Sequence, residues 1–279
     1  MVVTDIALAD IRTSIAEHRP ERGGALYGPK DYPLVTHFEF DAEARTTSVS
    51  YVPSVRLIQS VRNVERETGL RFKGIVHSHP LGYDRPSEGD RASAANLFRH
   101  NSHLSSIAMP IVQQVNAGGN AAPEGFIRWF AAERRQDEAA ERAPAFLLMP
   151  DRLPDVEILD EEVHVLPIRG HMERLLSGLA GRGYSLRIKG ALQPLRIRHA
   201  QLVGMTAASD EGHEFMYFVS MDYPVVPPLV LYQSGGTTRN LRPAWDGMDE
   251  DQRMLDDIVE LLAEEWRVPP RRAAGDTFG

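Results

Sequence analysis

An apolar stretch at residues 72–76 runs directly into two histidines that are separated by one residue, His77 and His79. Side chains alternate along a strand, so two residues at this spacing lie on the same face. After a loop containing glycine and proline, Ser87 has the character of a helix N-cap, with an acid three residues later at Asp90. The sequence therefore predicts a buried strand, a loop and a helix, with Asp90 able to join the two histidines.

Two imidazoles and a carboxylate are suitable zinc ligands, at bond lengths of about 2.0–2.2 Å. Three protein ligands leave a fourth position for water, which is typical of catalytic zinc sites. Each part has a simpler explanation, since a lone His-x-His pair usually binds nothing and Ser-x-x-Asp alone is a helix capping box. A chance match to the whole pattern is expected in on the order of one chain in a thousand. The combination therefore favours a metal site.

Composition excludes several other kinds of site. The 279-residue chain contains no cysteine, which excludes a disulfide framework, a thiolate zinc finger and a thiol nucleophile. The net charge of -8 disfavours nucleic acid and anionic membranes as partners. We find neither a signal peptide pattern nor an apolar run long enough for a transmembrane helix, so we expect a cytoplasmic protein.

The length fits two domains of moderate size. Residues 133–162 are rich in charged residues, alanine and proline, and we place the boundary near residue 158. The predicted domains are 1–158, including a linker from about 133, and 159–279. Helices are predicted at 5–17, 54–68, 87–99, 170–180 and near the C-terminus, and strands at 25–27, 34–40, 46–52, 72–76, 108–115, 125–131, 195–205 and 215–221.

The stretch from His77 to Asp90 resembles the JAMM motif of MPN-plus metalloproteases, which reads His-Ser/Thr-His, seven residues, Ser, two residues, Asp. All four motif positions match, at His77, His79, Ser87 and Asp90. The resemblance covers roughly residues 1–135. It implies an MPN/JAB-type α-β-α domain with a curved mixed sheet, and one Zn²⁺ per chain on His77, His79 and Asp90.

The same family places its general base on an upstream glutamate, next to a small-residue strand that ends in glycine. The segment from Glu21 to Gly28 fits this pattern, whereas the competing Glu17 belongs to the predicted first helix. The resemblance implies that Glu21 is the general base and that Ser87 donates a hydrogen bond to the oxyanion. It also implies cleavage after the C-terminal glycine of ubiquitin or a ubiquitin-like protein, with residues 82–85 and 116–123 as candidate walls of the substrate channel.

The segment Phe215–Tyr232 resembles the Tyr-Pro…Pro-Pro signature of the ubiquitin-conjugating (UBC) fold. A strand leads into Tyr223-Pro224, and Pro227-Pro228 precedes another strand. The resemblance implies an α+β UBC-like domain over about residues 165–267, although a proline-rich turn in another α+β domain gives the same pattern. A chain without cysteine cannot form the thioester of a conjugating enzyme. This half is therefore expected to be non-catalytic and to bind a ubiquitin-like protein or a conjugation-pathway enzyme.

Three functions remain open at this point. The first is a zinc isopeptidase of a bacterial ubiquitin-like conjugation system. The second is a non-catalytic MPN scaffold that binds partner proteins, which the complete ligand set disfavours. The third is a zinc peptidase that acts on a sulfur-carrier-like protein, which only a panel of substrates distinguishes from the first.

Overall fold

The computed structural model describes residues 1–16, 20–47, 50–113, 126–135, 153–197, 200–245 and 251–267. The chain folds as two compact units, Met1–Val3 with Ala7–His164 and Thr4–Ile6 with Val165–Gly279. No helix in the described ranges is both long enough and apolar enough to cross a membrane.

The first part of the chain alternates short strands with three helices in the described ranges. Its elements are β1 (Val2–Thr4), α1 (Asp5–Ile11) continued by a π-helical turn (Arg12–Ala16), β2 (Gly23–Gly28), β3 (Leu34–Val35), β4 (His37–Phe40), β5 (Arg45–Thr46), β6 (Tyr51–Val52), α2 (Val55–Thr68), β7 (Arg71–His79), α3 (Glu88–His100), β8 (Ser106–Ala108), β9 (Ile111–Gln113), β10 (Ile127–Arg128), β11 (Phe130–Arg134) and β12 (Val156–Asp160).

Eight of the described strands form one mixed sheet, with the order β10-β9-β7-β8-β11-β12 and with β2 pairing β7 and β4. Strand β7 is central: it is antiparallel to β2 and parallel to β8 and β9. The predicted boundary near residue 158 falls inside β12, which pairs with β11 along its length. The mixed sheet agrees with the prediction for this domain.

Helices cover both faces of this sheet. On one face, α1 and its π-helical turn pack against alternate residues of the strands. On the other face, α2 and α3 pack against the intervening residues. The layers are therefore α-β-α, as predicted, and each fully buried large side chain contributes roughly 1.5–3 kcal/mol. The first face includes Ala7, Ile11, Ile15, Leu26, Val76 and Val112, and the second includes Leu57, Tyr27, Phe98, Ile107, Ile111 and Phe130.

Several predicted strands are shorter or broken in the structure. The strand predicted at 46–52 is instead part of the antiparallel pair β5 and β6, and the Thr47 N–H donates to the Ser50 carbonyl at 2.9 Å. The strand predicted at 108–115 is interrupted at Met109-Pro110, because proline has no N–H for a ladder. Glu17 and the candidate channel segment 116–123 lie outside the described residues.

The second unit is an α+β arrangement of helices and an antiparallel sheet. Its described residues form a five-stranded sheet in which the strands lie in the order that they have along the chain. The strand predicted at 195–205 is a pair of antiparallel strands, whereas the two predicted helices are confirmed. The UBC-like assignment stays a prediction. The elements are β13 (His164–Leu166), α4 (Ile168–Ala180), β14 (Arg187–Ile197), β15 (Ala200–Ala208), β16 (Glu214–Ser220), β17 (Leu229–Ser234), β18 (Thr237–Leu241) and α5 (Asp251–Arg267).

Candidate metal centre

The two histidines of the motif lie at the C-terminal end of β7. Their side chains share one face, and the Nε2 atoms of His77 and His79 lie 2.9 Å apart. Both residues are buried, with 5% and 7% of their surface exposed. Ser78 between them points the other way, where its hydroxyl accepts the backbone N–H of Arg22 at 2.9 Å. This arrangement confirms the predicted alternation.

The first turn of α3 brings Asp90 to the histidines. Asp90 Oδ1 lies 3.0 Å from His77 Nε2, and Oδ2 lies 3.3 Å from His79 Nε2. Within the described ranges, His77, His79 and Asp90 form a group whose three potential ligand atoms all lie within 4.8 Å of one another. The structure therefore brings together the three residues that the sequence pattern predicted as ligands.

The donor set fits a tetrahedral zinc ion. In a tetrahedral site with bonds of about 2.0–2.1 Å, ligand atoms lie about 3.3–3.4 Å apart, close to the separations of 2.9–3.3 Å found here. His79 Nδ1 lies 3.2 Å from the backbone carbonyl of Tyr83. An Nδ1–H that donates to this carbonyl leaves the lone pair on Nε2 free for a cation.

The charges at the site also suit a cation. Burial raises the pKa of Asp90, but hydrogen bonds from His77 and His79 outweigh burial and hold that pKa far below its usual range. Burial lowers the pKa of His79, but the hydrogen bond and the charge of Asp90 outweigh it, so the net shift is upward. The carboxylate is therefore ionised at neutral pH, which is the state that binds a metal.

Glu21 reaches the site through the register of the sheet. Strands β2 and β7 pair Gly23 with His77, and the Ser78 N–H donates to the Arg22 carbonyl at 2.7 Å. Continuing this antiparallel register places Glu21 opposite His79. Only 3% of Glu21 is exposed, and this burial raises its pKa to about 7, with the charge of His79 opposing and that of Asp90 adding to the shift. A carboxyl group that titrates near neutral pH suits a general base.

Ser87 caps α3 in this structure. Its hydroxyl donates to Asp90 Oδ2 at 2.7 Å and accepts the Asp90 N–H at 3.3 Å, which completes the capping box. The simpler explanation of Ser-x-x-Asp is thus correct, and the same carboxylate also faces the histidines. The role of Ser87 as an oxyanion donor stays a prediction.

The sequence analysis missed two contacts with the site. The ring of Tyr51 stacks on the imidazole of His77, and Arg128 forms an ion pair with Asp84 in the loop after β7. Tyr51 is 26 positions from His77, and Arg128 is 44 from Asp84, so neither pair produces a local pattern. Only the folded sheet brings these residues together.

Three features define the class of domain that this unit contains: the α-β-α layers, the His-x-His pair at the end of the central strand, and the aspartate on the first turn of the next helix. Residues 6–129 match the family model described as prokaryotic homologs of the JAB domain. This part of the chain therefore carries a JAB/MPN domain. That domain family includes metal-dependent isopeptidases and commonly binds zinc, but its prokaryotic members are not uniformly active.

Two solved structures are similar to the chain. One is the solution structure of a protein from Desulfitobacterium hafniense, with 17% sequence identity and a TM-score of 0.34. The match covers 60% of this chain and 92% of that protein's chain. A crystal structure of a JAB1/MPN domain protein from Archaeoglobus fulgidus shares 23% identity, covers 40% of this chain and 77% of that chain, and has a TM-score of 0.24. No curated protein matches the chain.

Proposed function

We propose that the first unit is a zinc-dependent isopeptidase that cleaves after the C-terminal glycine of ubiquitin or a ubiquitin-like protein, in a bacterial ubiquitin-like conjugation system. One observation carries the proposal: His77, His79 and the ionised Asp90 converge at the end of β7, with the buried Glu21 opposite His79. Such a cluster contributes little to stability, because the free energy that pairing returns about offsets the cost of burying the ionisable groups.

The roles of the residues follow from their positions. His77, His79 and Asp90 would hold a zinc ion, which would supply Lewis acidity for the scissile carbonyl and for the attacking water. Glu21 accepts a proton from the attacking water while the water oxygen bonds to the carbonyl carbon. It later delivers that proton to the leaving amine as the C–N bond breaks. The Ser87 hydroxyl donates a hydrogen bond to the developing oxyanion. To do so it must first break the hydrogen bond that it now donates to Asp90.

The surroundings of the cluster support a protein substrate. Leu81 and Tyr83 lie in the loop that follows His79 and are 56% and 69% exposed. Phe126, whose carbonyl accepts the Gln113 N–H, is 59% exposed, and Gln113 pairs with His79 in the sheet. Large exposed apolar side chains grouped near a site are typical of protein-binding surfaces.

For the second unit we propose a non-catalytic binding role. The order of α4, antiparallel strands, the Tyr223-Pro224…Pro227-Pro228 loop and α5 supports a UBC-like fold, and the chain has no cysteine for a thioester. Val225 in this loop is 81% exposed and offers an apolar contact to a ubiquitin-like protein or a conjugation-pathway enzyme. Such a module would raise the local concentration of substrate at the first unit.

The test combines metal content with cleavage. We expect about one zinc ion per wild-type chain, lost in His77→Ala and Asp90→Ala and retained in Glu21→Gln. His100→Ala is the matched control, because His100 is an exposed histidine at the end of α3, where its Nδ1 contacts the Asn96 carbonyl. Glu21→Gln should lower the cleavage rate of a ubiquitin-like protein extended beyond its C-terminal Gly-Gly by about 10²–10⁴-fold.

Each alternative has its own outcome. A folded wild-type protein that takes up no zinc when the metal is supplied would refute the proposal and favour the scaffold. Zinc binding without cleavage of ubiquitin-like conjugates, together with cleavage of a sulfur-carrier-like protein, would favour the third function instead.

A further inference from the structure

Tyr51 contacts the candidate metal centre although the proposed chemistry gives it no role. It lies on β6, and its ring stacks on the imidazole of His77 with a centroid separation of 5.9 Å and an interplanar angle of 12°. Offset stacking within about 4.5–7 Å is a favourable arrangement for aromatic rings. This offset contact places the tyrosine ring beside the imidazole and so limits the rotation of the His77 side chain.

Gly23 on β2 provides the space for this ring. A Cβ atom at position 23 would lie 2.7 Å from Tyr51 Cζ and 2.7 Å from the Val76 carbonyl oxygen. Any side chain there would displace either the tyrosine ring or the strand that bears His77. The small-residue strand beside Glu21 thus admits Tyr51 to the site.

A buried carboxylate fixes the other end of Tyr51. Asp41 is 5% exposed, and its Oδ2 accepts the Tyr51 hydroxyl at 3.2 Å and the Ser54 N–H at 2.7 Å. Its Oδ1 accepts the Ser54 hydroxyl at 2.6 Å, and the Asp41 N–H donates to the Gly23 carbonyl at 3.0 Å. A buried carboxylate needs such a set of donors. Asp41 therefore ties Tyr51 both to the start of α2 and to β2.

The strand pair β5 and β6, which bears Tyr51, also contacts the candidate base. The Glu21 N–H donates to the Thr47 carbonyl at 3.1 Å, and Thr47 follows β5 directly. Strands β5 and β6 pair Thr46 with Tyr51. One short element therefore holds the backbone of Glu21 and the ring of His77.

We propose that Tyr51, anchored by Asp41, is a positioning residue that fixes the imidazole of His77 for metal binding. It complements the Tyr83 carbonyl, which orients His79. This inference rests on the proposed metal site. Partners that orient a ligand typically change metal affinity by about 10–100-fold when they are removed.

The test is a series of full-length variants whose zinc affinity is measured by competition with a chromophoric chelator. Tyr51→Leu removes both ring and hydroxyl, and we expect zinc to bind about 10–100-fold more weakly. Tyr51→Phe keeps the stack but loses the bond to Asp41, so its affinity should lie between those of Tyr51→Leu and the wild type. The visible spectrum of the cobalt-loaded protein should change in the same order, which a general loss of stability would not produce.

Tyr184→Leu is the matched control. Tyr184 stacks on Trp266 at 5.1 Å and donates to the Ala263 carbonyl at 3.4 Å, all within the second unit. This variant should lower the stability of the second unit and leave zinc affinity unchanged.

The outcomes separate this inference from the proposed function. If the wild type binds no zinc, the proposed function fails first. If the wild type binds zinc and both Tyr51 variants bind it with an affinity within about twofold of wild type, the positioning role alone is refuted. A loss of zinc affinity in Tyr184→Leu equal to that in Tyr51→Leu refutes it as well. Should Tyr51→Leu not fold, Tyr51→Phe decides, because wild-type affinity and an unchanged cobalt spectrum in that variant would overturn the anchoring by Asp41.

Discussion

The buried carboxyl group of Glu21 should make the metal-free protein less stable as pH rises. Its pKa is raised by burial from 4.5 to about 7, so the folded state holds a proton that the unfolded chain has already released. The stabilisation is complete below about pH 4.5 and is lost as pH rises toward about 7. Glu21→Gln has no such titration and serves as the reference.

The size of the effect follows from the shift. A change from 4.5 to about 7 corresponds to a ceiling of about 3 kcal/mol, of which about 2.5 kcal/mol falls between about pH 5 and about pH 8. The side chain of Asp90 at the same site is 18% exposed, so water partly screens the charge and we expect about 1–2 kcal/mol. Over this range the wild type should lose that much stability relative to Glu21→Gln.

Urea unfolding in the presence of a metal chelator measures this difference. Trp129 reports on the first unit when Trp245 and Trp266 of the second unit are replaced by phenylalanine in both proteins. Comparing the two proteins cancels the titration of groups that do not interact with Glu21, whereas His79, whose pKa the charge of Glu21 raises, contributes to the difference that is measured. A difference in unfolding free energy that stays constant within about 0.5 kcal/mol between the two pH values would show that Glu21 is not held protonated by burial.

Three further outcomes follow from the geometry. Ser87→Ala should cost α3 about 1 kcal/mol through its lost cap and, if Ser87 also serves the oxyanion, lower kcat by about 10²–10³-fold, as a thermal melt and a cleavage assay would show. Arg128→Ala frees the loop after β7 and should weaken zinc binding by about tenfold in the chelator competition, whereas Arg135→Ala, which removes a similar two-acid ion pair elsewhere, should not. Gly23→Ala should lower zinc affinity as Tyr51→Leu does, since its methyl group would displace either the tyrosine ring or the strand that bears His77. Wild-type affinity in this variant would contradict the close packing at Gly23.

The sequence predicted the ligand cluster because its members are local and carry a periodic pattern. The alternation along β7 orients His77 and His79, and the N-cap chemistry of Ser87 fixes the start of α3. Asp90 then lies on the first turn, which faces the strand that precedes the loop. The position of Glu21 was predicted from the family pattern, and the strand register supplies its physical reason.

What the sequence did not predict depends on contacts between distant segments. The stretch at 46–52 has the alternation of a single strand, yet its two ends belong to the antiparallel strands β5 and β6, which pair Thr46 with Tyr51. That pairing places Tyr51 against His77, and the periodicity of the sequence does not predict this contact. Pairing across a sheet, in contrast to the character of each strand, is not encoded in any one segment.

The double use of Asp90 has a consequence for comparing relatives of this protein. Its carboxylate completes a helix cap as well as the histidine cluster, so selection for a stable α3 preserves Ser87 and Asp90 even in a lineage that has abandoned metal. The histidines contact Tyr51 and the Tyr83 carbonyl but complete no helix cap, so α3 does not depend on them in this way. Among descendants of this domain, loss of His77 or His79 is therefore the informative sign of a silent site, and persistence of the serine–aspartate pair is not a sign of activity.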